Sequence, residues 1–178
     1  MEDPDTFDRA PSTSPWVERF IGLVPAGGTV LDVACGAGRH LALGEARGYR
    51  MTGIDRDLSR LPDRLRTGAI ELIEADLEAG GPWPLGDRRF DGVTVTNYLW
   101  RPLLPAIVAA VATGGVLIYE TFAIGNERFG RPRNPDFLLR PEELIDAVRP
   151  ALTVVAYEHL QLAAPDRIVQ RVAAQRAA

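Results

Sequence analysis

Short apolar runs recur along the chain and alternate with segments of helical spacing. Residues 14–24, SPWVERFIGLV, open with Ser14 and Pro15, a capping residue followed by a proline at the first helical position. TVLDVA (29–34) is almost wholly apolar, as expected of a strand covered on both faces. GRHLALGEARGY (38–49) predicts a helix and MTGID (51–55) the next strand. DLSRLPDRLRTG (57–68) reads as a weaker helix interrupted by Pro62, and AIELIEAD (69–76) as a third strand. After a Gly/Pro loop come a fourth strand, FDGVTVTN (90–97), and a helix, LLPAIVAAVAT (103–113). GVLIYETF (115–122) predicts a fifth strand, and PEELIDAVRPA (141–151) a helix that again begins with Pro. LTVVAYEHLQL (152–162) and RIVQRVAAQ (167–175) are the closing strands.

Strands alternating with helices predict an α/β fold, a doubly wound and largely parallel sheet. The last two strands differ. The AAPDR between them is too short for a crossover helix, so they must pair as an antiparallel hairpin. Residues 1–13 read as a loose tail, and 14–178 as a single domain of ordinary size.

Composition narrows the chemistry. The net charge is −4, which gives no generally basic surface for nucleic acid. All 20 basic residues are arginine, so no lysine can serve in catalysis. Cys35 is the only cysteine and His40 and His159 the only histidines, so disulfides and Cys- or His-rich metal sites are not expected. The acidic start, MEDPDTFDRA, lacks the layout of a signal peptide. The most apolar long run is broken by Pro105, Gly114 and Gly115, which argues against a membrane span. A cytoplasmic location is expected.

The stretch VLDVACGAGRH (30–40) sets Gly36 and Gly38 between the first strand and the helix after it. Glycine there either serves a tight turn or lets a ligand approach the main chain. That carboxyl edge is where open parallel sheets bind ligands. Asp32, just ahead of the turn, can reach an ammonium group. Asp55 lies 19 positions after Gly36, near the offset at which an acid meets ribose hydroxyls. Asp76, at the end of the third strand, can accept from an adenine amino group, with the backbone of Leu77 beside the ring. Each acid alone could be a helix cap. Three in order at the ends of adjacent strands favour a nucleoside site. A dinucleotide fingerprint would want a third glycine where Leu41 stands.

VLDVACGAGRH, GIDRD, EADLE, FDGVTVTNYL and GGVLIYETF resemble the successive motifs of class I S-adenosylmethionine-dependent methyltransferases, over residues 14–175. NYLWRPLLP and the stretch from Glu120 to Leu144 are similar to small bacterial members of the tellurite-resistance type. The resemblance implies a Rossmann-like, seven-stranded sheet with an antiparallel last strand. It also implies S-adenosylmethionine as cofactor, with no metal. Asp32, Ala34, Gly36 and Gly38 match the loop for the methionine moiety. Asp55 matches the ribose acid with Arg56 beside the adenine, Asp76 and Leu77 the adenine contacts, and Asn97 the residue near the sulfonium. Ala34 stands where the broader pattern often has glycine, and Trp100 where the subgroup's pattern has histidine, so no base is assigned.

The long stretch 121–140, between the fifth strand and the next helix, carries Arg128, Arg131, Arg133 and Arg140 against Glu127 and Asp136. With Arg101 these could form an anion site, or they could be a solvated charged loop. Phe122, Phe129 and Phe137 could wall a pocket. The expected substrate side comprises Tyr98, Trp100, Arg101, Phe122, Arg128 and Arg133, with Tyr98, Arg101 and Glu120 as catalytic candidates. The leading expectation is methyl transfer to a small, anionic molecule. Cofactor binding without turnover, and methylation of a protein or RNA side chain, are the alternatives. Cys35 reads as a small residue in the turn rather than a reactive thiol. His40 reads as a surface or packing residue, and Trp16, Val17, Phe20 and Ile21 as core.

Overall fold

Runs of apolar and β-branched residues form seven strands in the computed structural model, which describes residues 12–178. They are β1 (Thr29–Val33), β2 (Arg50–Asp55), β3 (Glu71–Glu74), β4 (Phe90–Thr96), β5 (Val111–Phe122), β6 (Thr153–Leu162) and β7 (Arg167–Gln175). They make one sheet in the order β3-β2-β1-β4-β5-β7-β6. The β1–β2, β1–β4, β2–β3 and β4–β5 pairs are parallel. β7 runs antiparallel to both β5 and β6, so the expected closing hairpin is present with its second strand inserted beside β5.

Alternate residues of the central strands feed two cores, one on each face. Val30, Val116 and Ile118 pack with Trp16, Val17 and Phe20 of α1 (Pro15–Phe20), Leu41 of α2 (Arg39–Ala46) and Leu65 of α3 (Asp63–Arg66). Leu31, Val33, Leu117 and Tyr119 pack on the other face. They meet Ile107 and Val108 of α4 (Leu104–Ala109) and Leu144 and Val148 of α5 (Glu143–Val148). Trp16, Val17, Phe20 and Ile21 are therefore core residues, each at most 8% exposed.

Three local expectations are corrected. The predicted helix at 103–113 stops at Ala109, because Val111 pairs with Phe90 and residues 111–113 join β5. The helix expected from Pro141 starts at Glu143, because Glu142 takes a left-handed backbone (φ 61°). The segment 57–68 divides at Pro62 into a single 3-10 turn, Leu58–Arg60, and the four-residue α3. Of the expected tail, residues 1–11 lie outside the described ones. Among the described residues no helix is long and apolar enough to cross a membrane.

Strand succession runs outward from β1 through β2 to β3 and, on the other side, from β4 to β5. The crevice beyond their carboxyl ends is the position at which such sheets receive ligands.

Candidate functional site

The glycine turn follows β1 directly. Cys35 N–H donates to Ile54 O and Gly38 N–H to Cys35 O, closing the turn against β2. Gly36 (φ 54°) and Gly38 (φ 76°) both require the left-handed region, yet their surroundings differ. A Cβ at Gly38 would come within 2.6 Å of Leu61 Cδ2 and 2.7 Å of Leu65 Cδ1. A Cβ at Gly36 would meet nothing within 4 Å. Gly38 is a packing glycine, whereas Gly36 leaves open space against the main chain. Ala34 also has positive φ (54°), the conformation that a glycine would adopt with less strain. Cys35 is buried in this turn, and burial pushes its thiol pKa up, as a small packing residue rather than a reactive one.

Asp32 lies beneath the turn and is 1% exposed. Its Oδ1 accepts from Thr94 Oγ1 at 2.8 Å, while Oδ2 is buried without a hydrogen-bond partner. Burial raises its pKa to about 7, against the opposing Thr94 hydrogen bond and the Arg39 charge. Asp55 closes β2, with Oδ2 accepting from Gly36 N–H at 2.8 Å and Oδ1 from Asp57 N–H at 3.1 Å. It therefore shapes the glycine turn as well as facing the cleft. Asp76 builds a tight turn by accepting from Glu78 N–H at 2.9 Å.

A cleft of about 420 Å³ opens over these strand ends. Ala34, Asp55, Arg56, Asp76, Leu77 and Asn97 all line it, so six of the nine positions matched to cofactor binding share one cavity wall. Of the other three, Asp32 and Gly38 are buried behind the turn and Gly36 is bonded to Asp55. A second pocket of about 180 Å³, walled in part by Phe122, Leu99 and Thr121, adjoins the first. Glu78, Asn97, Tyr98 and Phe137 belong to both cavities.

Sequence reasoning missed Glu78. Its only signal was its place two residues after Asp76, where an Asx turn carries the chain back along the cleft. The loop after β4 is held by Asn97 N–H donating to Glu120 O and by the Tyr119 hydroxyl donating to Tyr98 O at 2.8 Å. Asn97 takes a left-handed backbone (φ 54°), which asparagine tolerates. The Tyr98 hydroxyl is buried without a hydrogen-bond partner. Burial and the nearby carboxylates of Glu78, Asp76 and Asp55 push its pKa up, so it is a neutral donor rather than a base.

The expected anion site is not assembled. The Arg101 guanidinium is bonded to both carboxylate oxygens of Glu143 and donates to the carbonyls of Asp136 and Leu138. It pins the 121–140 loop to α5 and borders a separate, apolar groove between α4 and α5. Arg128 donates to Gly125 O and lies over the Phe129 ring. Arg128, Arg133 and Trp100 line neither cavity. Arg101 and Arg128 are thus engaged by groups of the loop and α5, and spacing along the sequence could not show that.

Glu120 is likewise placed away from the cleft. It is 2% exposed, and its carboxylate accepts from Ser14 Oγ at 3.1 Å and Arg171 at 3.2 Å. Ser14 Oγ in turn accepts from Trp16 and Val17 N–H as the cap of α1. His40 is buried rather than superficial, because its Nε2 accepts the Ser14 N–H at 3.0 Å. That bond puts the ring proton on Nδ1, which faces Thr96 Oγ1 at 3.4 Å. Burial, with the Arg39 charge, lowers the His40 pKa to about 3. Glu120 and His40 thus dock α1 onto the sheet. Among the described residues no group of three or more His, Cys, Asp and Glu side chains is placed to hold a metal.

A protein-family model described as "Methyltransferase domain" matches residues 30–115, the span from β1 to the start of β5's main run. No curated protein matches by sequence. Among solved structures, TehB from Haemophilus influenzae superposes with a TM-score of 0.72 at 17% identity, over 96% of this chain and 64% of that one. This chain therefore spans less than two thirds of the TehB chain. The N-methyltransferase NodS from Bradyrhizobium japonicum gives 0.67 at 20% identity, over 90% of this chain and 94% of its own. A 1,6-didemethyltoxoflavin N1-methyltransferase from Burkholderia thailandensis, with that compound and S-adenosylhomocysteine bound, gives 0.67 at 17% identity, over 92% and 77%. At such identities the likeness establishes the fold. Residues 30–115 thus match a methyltransferase domain, and the chain shares the fold of these solved methyltransferase structures.

Proposed function

We propose that this chain transfers the S-adenosylmethionine methyl group to a small molecule bound beside Asn97 and Tyr98. The observation that carries this reading is the union of two cavities through shared walls. The larger is lined by the residues matched to the nucleoside, and the smaller lies on the far side of Asn97 and Tyr98. A methyl group presented at that boundary would face the second pocket.

The residues present fit the cofactor. The unpaired Oδ2 of Asp32 is suited to an ammonium group, directly or through one water, and pairing it would remove the cost of an unsatisfied buried acceptor. The open space at Gly36 allows a ligand against the backbone. Asp55 has lone pairs left for two hydroxyls after accepting its two backbone N–H groups. Asp76 and the backbone of Leu77 border the same cleft and suit an amino-bearing ring edge. The cofactor supplies a methyl carbon already activated on a sulfonium. The chain's own work is then alignment and exclusion of water, with Phe137 and Phe122 forming apolar walls. The expected anionic character of the substrate has no support here, because Arg101, Arg128 and Arg133 line neither cavity.

Calorimetric titration with S-adenosylhomocysteine tests the cofactor half. Micromolar binding by the wild type, weakened at least about tenfold in Asp76→Ala, is expected for one lost charge-assisted hydrogen bond. The absence of binding to folded wild type would overturn it. Labelled methyl transfer in a cell extract tests the acceptor half. Label is expected in small solutes, whereas label removed by protease or nuclease would establish a macromolecular acceptor instead.

A further inference from the structure

The acceptor pocket itself has a chemical preference, and its argument rests on the two-cavity reading above. Its walls are two phenylalanines, Phe122 and Phe137, with Leu99 and Pro132. Glu78 lines it with a carboxylate, and among the described residues no arginine or histidine lines it. Among the described residues Glu78 makes no salt bridge, and the Tyr98 hydroxyl lies beside its carboxylate. The Tyr98 hydroxyl is a buried donor whose approach to the Glu78 carboxylate falls short of hydrogen-bond geometry. A buried donor left unpaired costs free energy that a ligand acceptor would recover.

Three features then point the same way. Aromatic faces favour a flat ring, and more so a cationic one. A lone carboxylate without a compensating cation repels an anion and accepts from N–H groups. A neutral phenol beside it donates to a ring nitrogen or carbonyl oxygen. We propose that Glu78 and Tyr98 select a small planar ring, uncharged or cationic, that presents an N–H next to a hydrogen-bond acceptor. Glu78 takes the N–H and Tyr98 supplies the hydrogen bond to the neighbouring acceptor atom. The volume of about 180 Å³ limits the ring to a small one, since pockets for drug-sized ligands run from about 300 Å³ upward.

Ligand-observed NMR titration, with and without saturating S-adenosylhomocysteine, provides the test. The probes are 2-aminopyridine, which has the donor–acceptor edge, and pyridine-2-carboxylate, of similar size but anionic. The wild type is expected to bind 2-aminopyridine at least about tenfold more tightly, a difference of about 1.4 kcal/mol. Glu78→Gln, on an exposed turn, is expected to abolish most of that preference. Tyr98→Phe is expected to weaken 2-aminopyridine several-fold while leaving thermal stability equal or slightly raised, since the hydroxyl it removes has no protein partner. Equal binding of the two probes, tighter binding of the carboxylate, binding of neither, or a preference that survives Glu78→Gln would overturn the assignment. S-adenosylhomocysteine failing to bind while the probe preference persists would count against the cofactor reading alone.

Discussion

Gly36 and Gly38 are one residue apart, share a backbone region and do different work. An alanine at either must adopt positive φ, at a cost of roughly 1–2 kcal/mol. At Gly38 the added methyl also drives into Leu61 and Leu65, and overpacking adds roughly 1–3 kcal/mol. Gly38→Ala is therefore expected to lower the urea midpoint markedly, and Gly36→Ala to lower it less. The order should invert in ligand titration. Gly36→Ala places its methyl in the space left against the main chain and should lose S-adenosylhomocysteine affinity at least tenfold, roughly 1.4 kcal/mol. A Gly36→Ala variant that binds like wild type would show that the open space is not ligand space.

At the scale of an element, α1 is six residues long and too short to persist alone. Its position comes from packing and from a polar chain that runs through Ser14 and Glu120 to Arg171. Arg171 bonds Glu158 as well and stacks over Trp16, whose Nε1 donates to Val172 O. The Glu120 carboxylate is nearly inaccessible, so removing its guanidinium partner leaves a buried charge uncompensated. Arg171→Met is expected to destabilise by roughly 3–5 kcal/mol. Arg171→Met with Glu120→Gln should recover a large part of that loss, because the stranded charge is gone. Denaturant unfolding of the two single variants and the double one measures the coupling, and simple additivity would refute the pairing.

For the molecule as a whole, two buried groups oppose each other in acid. Asp32 has its pKa raised to about 7 from 3.8, chiefly by burial. The unfolded chain therefore loses its Asp32 proton first, and stability falls as pH rises from about 4 to about 7. His40 has its pKa lowered to about 3 from 6.5, again chiefly by burial, so stability falls as pH drops from 6.5 towards 3. Each effect is on the order of a few kcal/mol, and between about pH 4 and 6.5 they cancel in part. Relative to wild type, Asp32→Asn should lose stability more steeply on acidification, and His40→Asn should gain it. Urea midpoints across that range, compared as differences, would show parallel curves if neither group were shifted.

The sheet was readable from sequence because its central strands are apolar on both faces and its turns are punctuated by Gly and Pro. The acids Asp55 and Asp76 were readable because a parallel sheet delivers successive strand ends to one edge. What was not readable depends on contacts far apart in the chain. The sequence did not show that Glu143 would take Arg101, that Ser14 would reach Glu120 and His40, or that Glu78 would turn into the cleft. Arg101 looks available in the sequence because its partners, Glu143 above all, lie on other elements. Helix ends at Ala109 and Glu143 were misplaced for a related reason: pairing to Phe90 and a single left-handed residue overrode local propensity.

The position of β7 has a consequence for how the chain acquires this shape. It is synthesised after β6, yet it sits inside the sheet, between β5 and β6. Until it arrives, β5 presents a bare row of amides flanked by Val116, Leu117, Ile118 and Tyr119, an edge apt to recruit strands from other molecules. Residues 116–122 must wait for residues 169–175, so the sheet closes through distant pairings that form slowly. A nascent or refolding chain is thus prone to aggregate before β7 docks, and a peptide copying Arg167–Gln175 should compete for that edge.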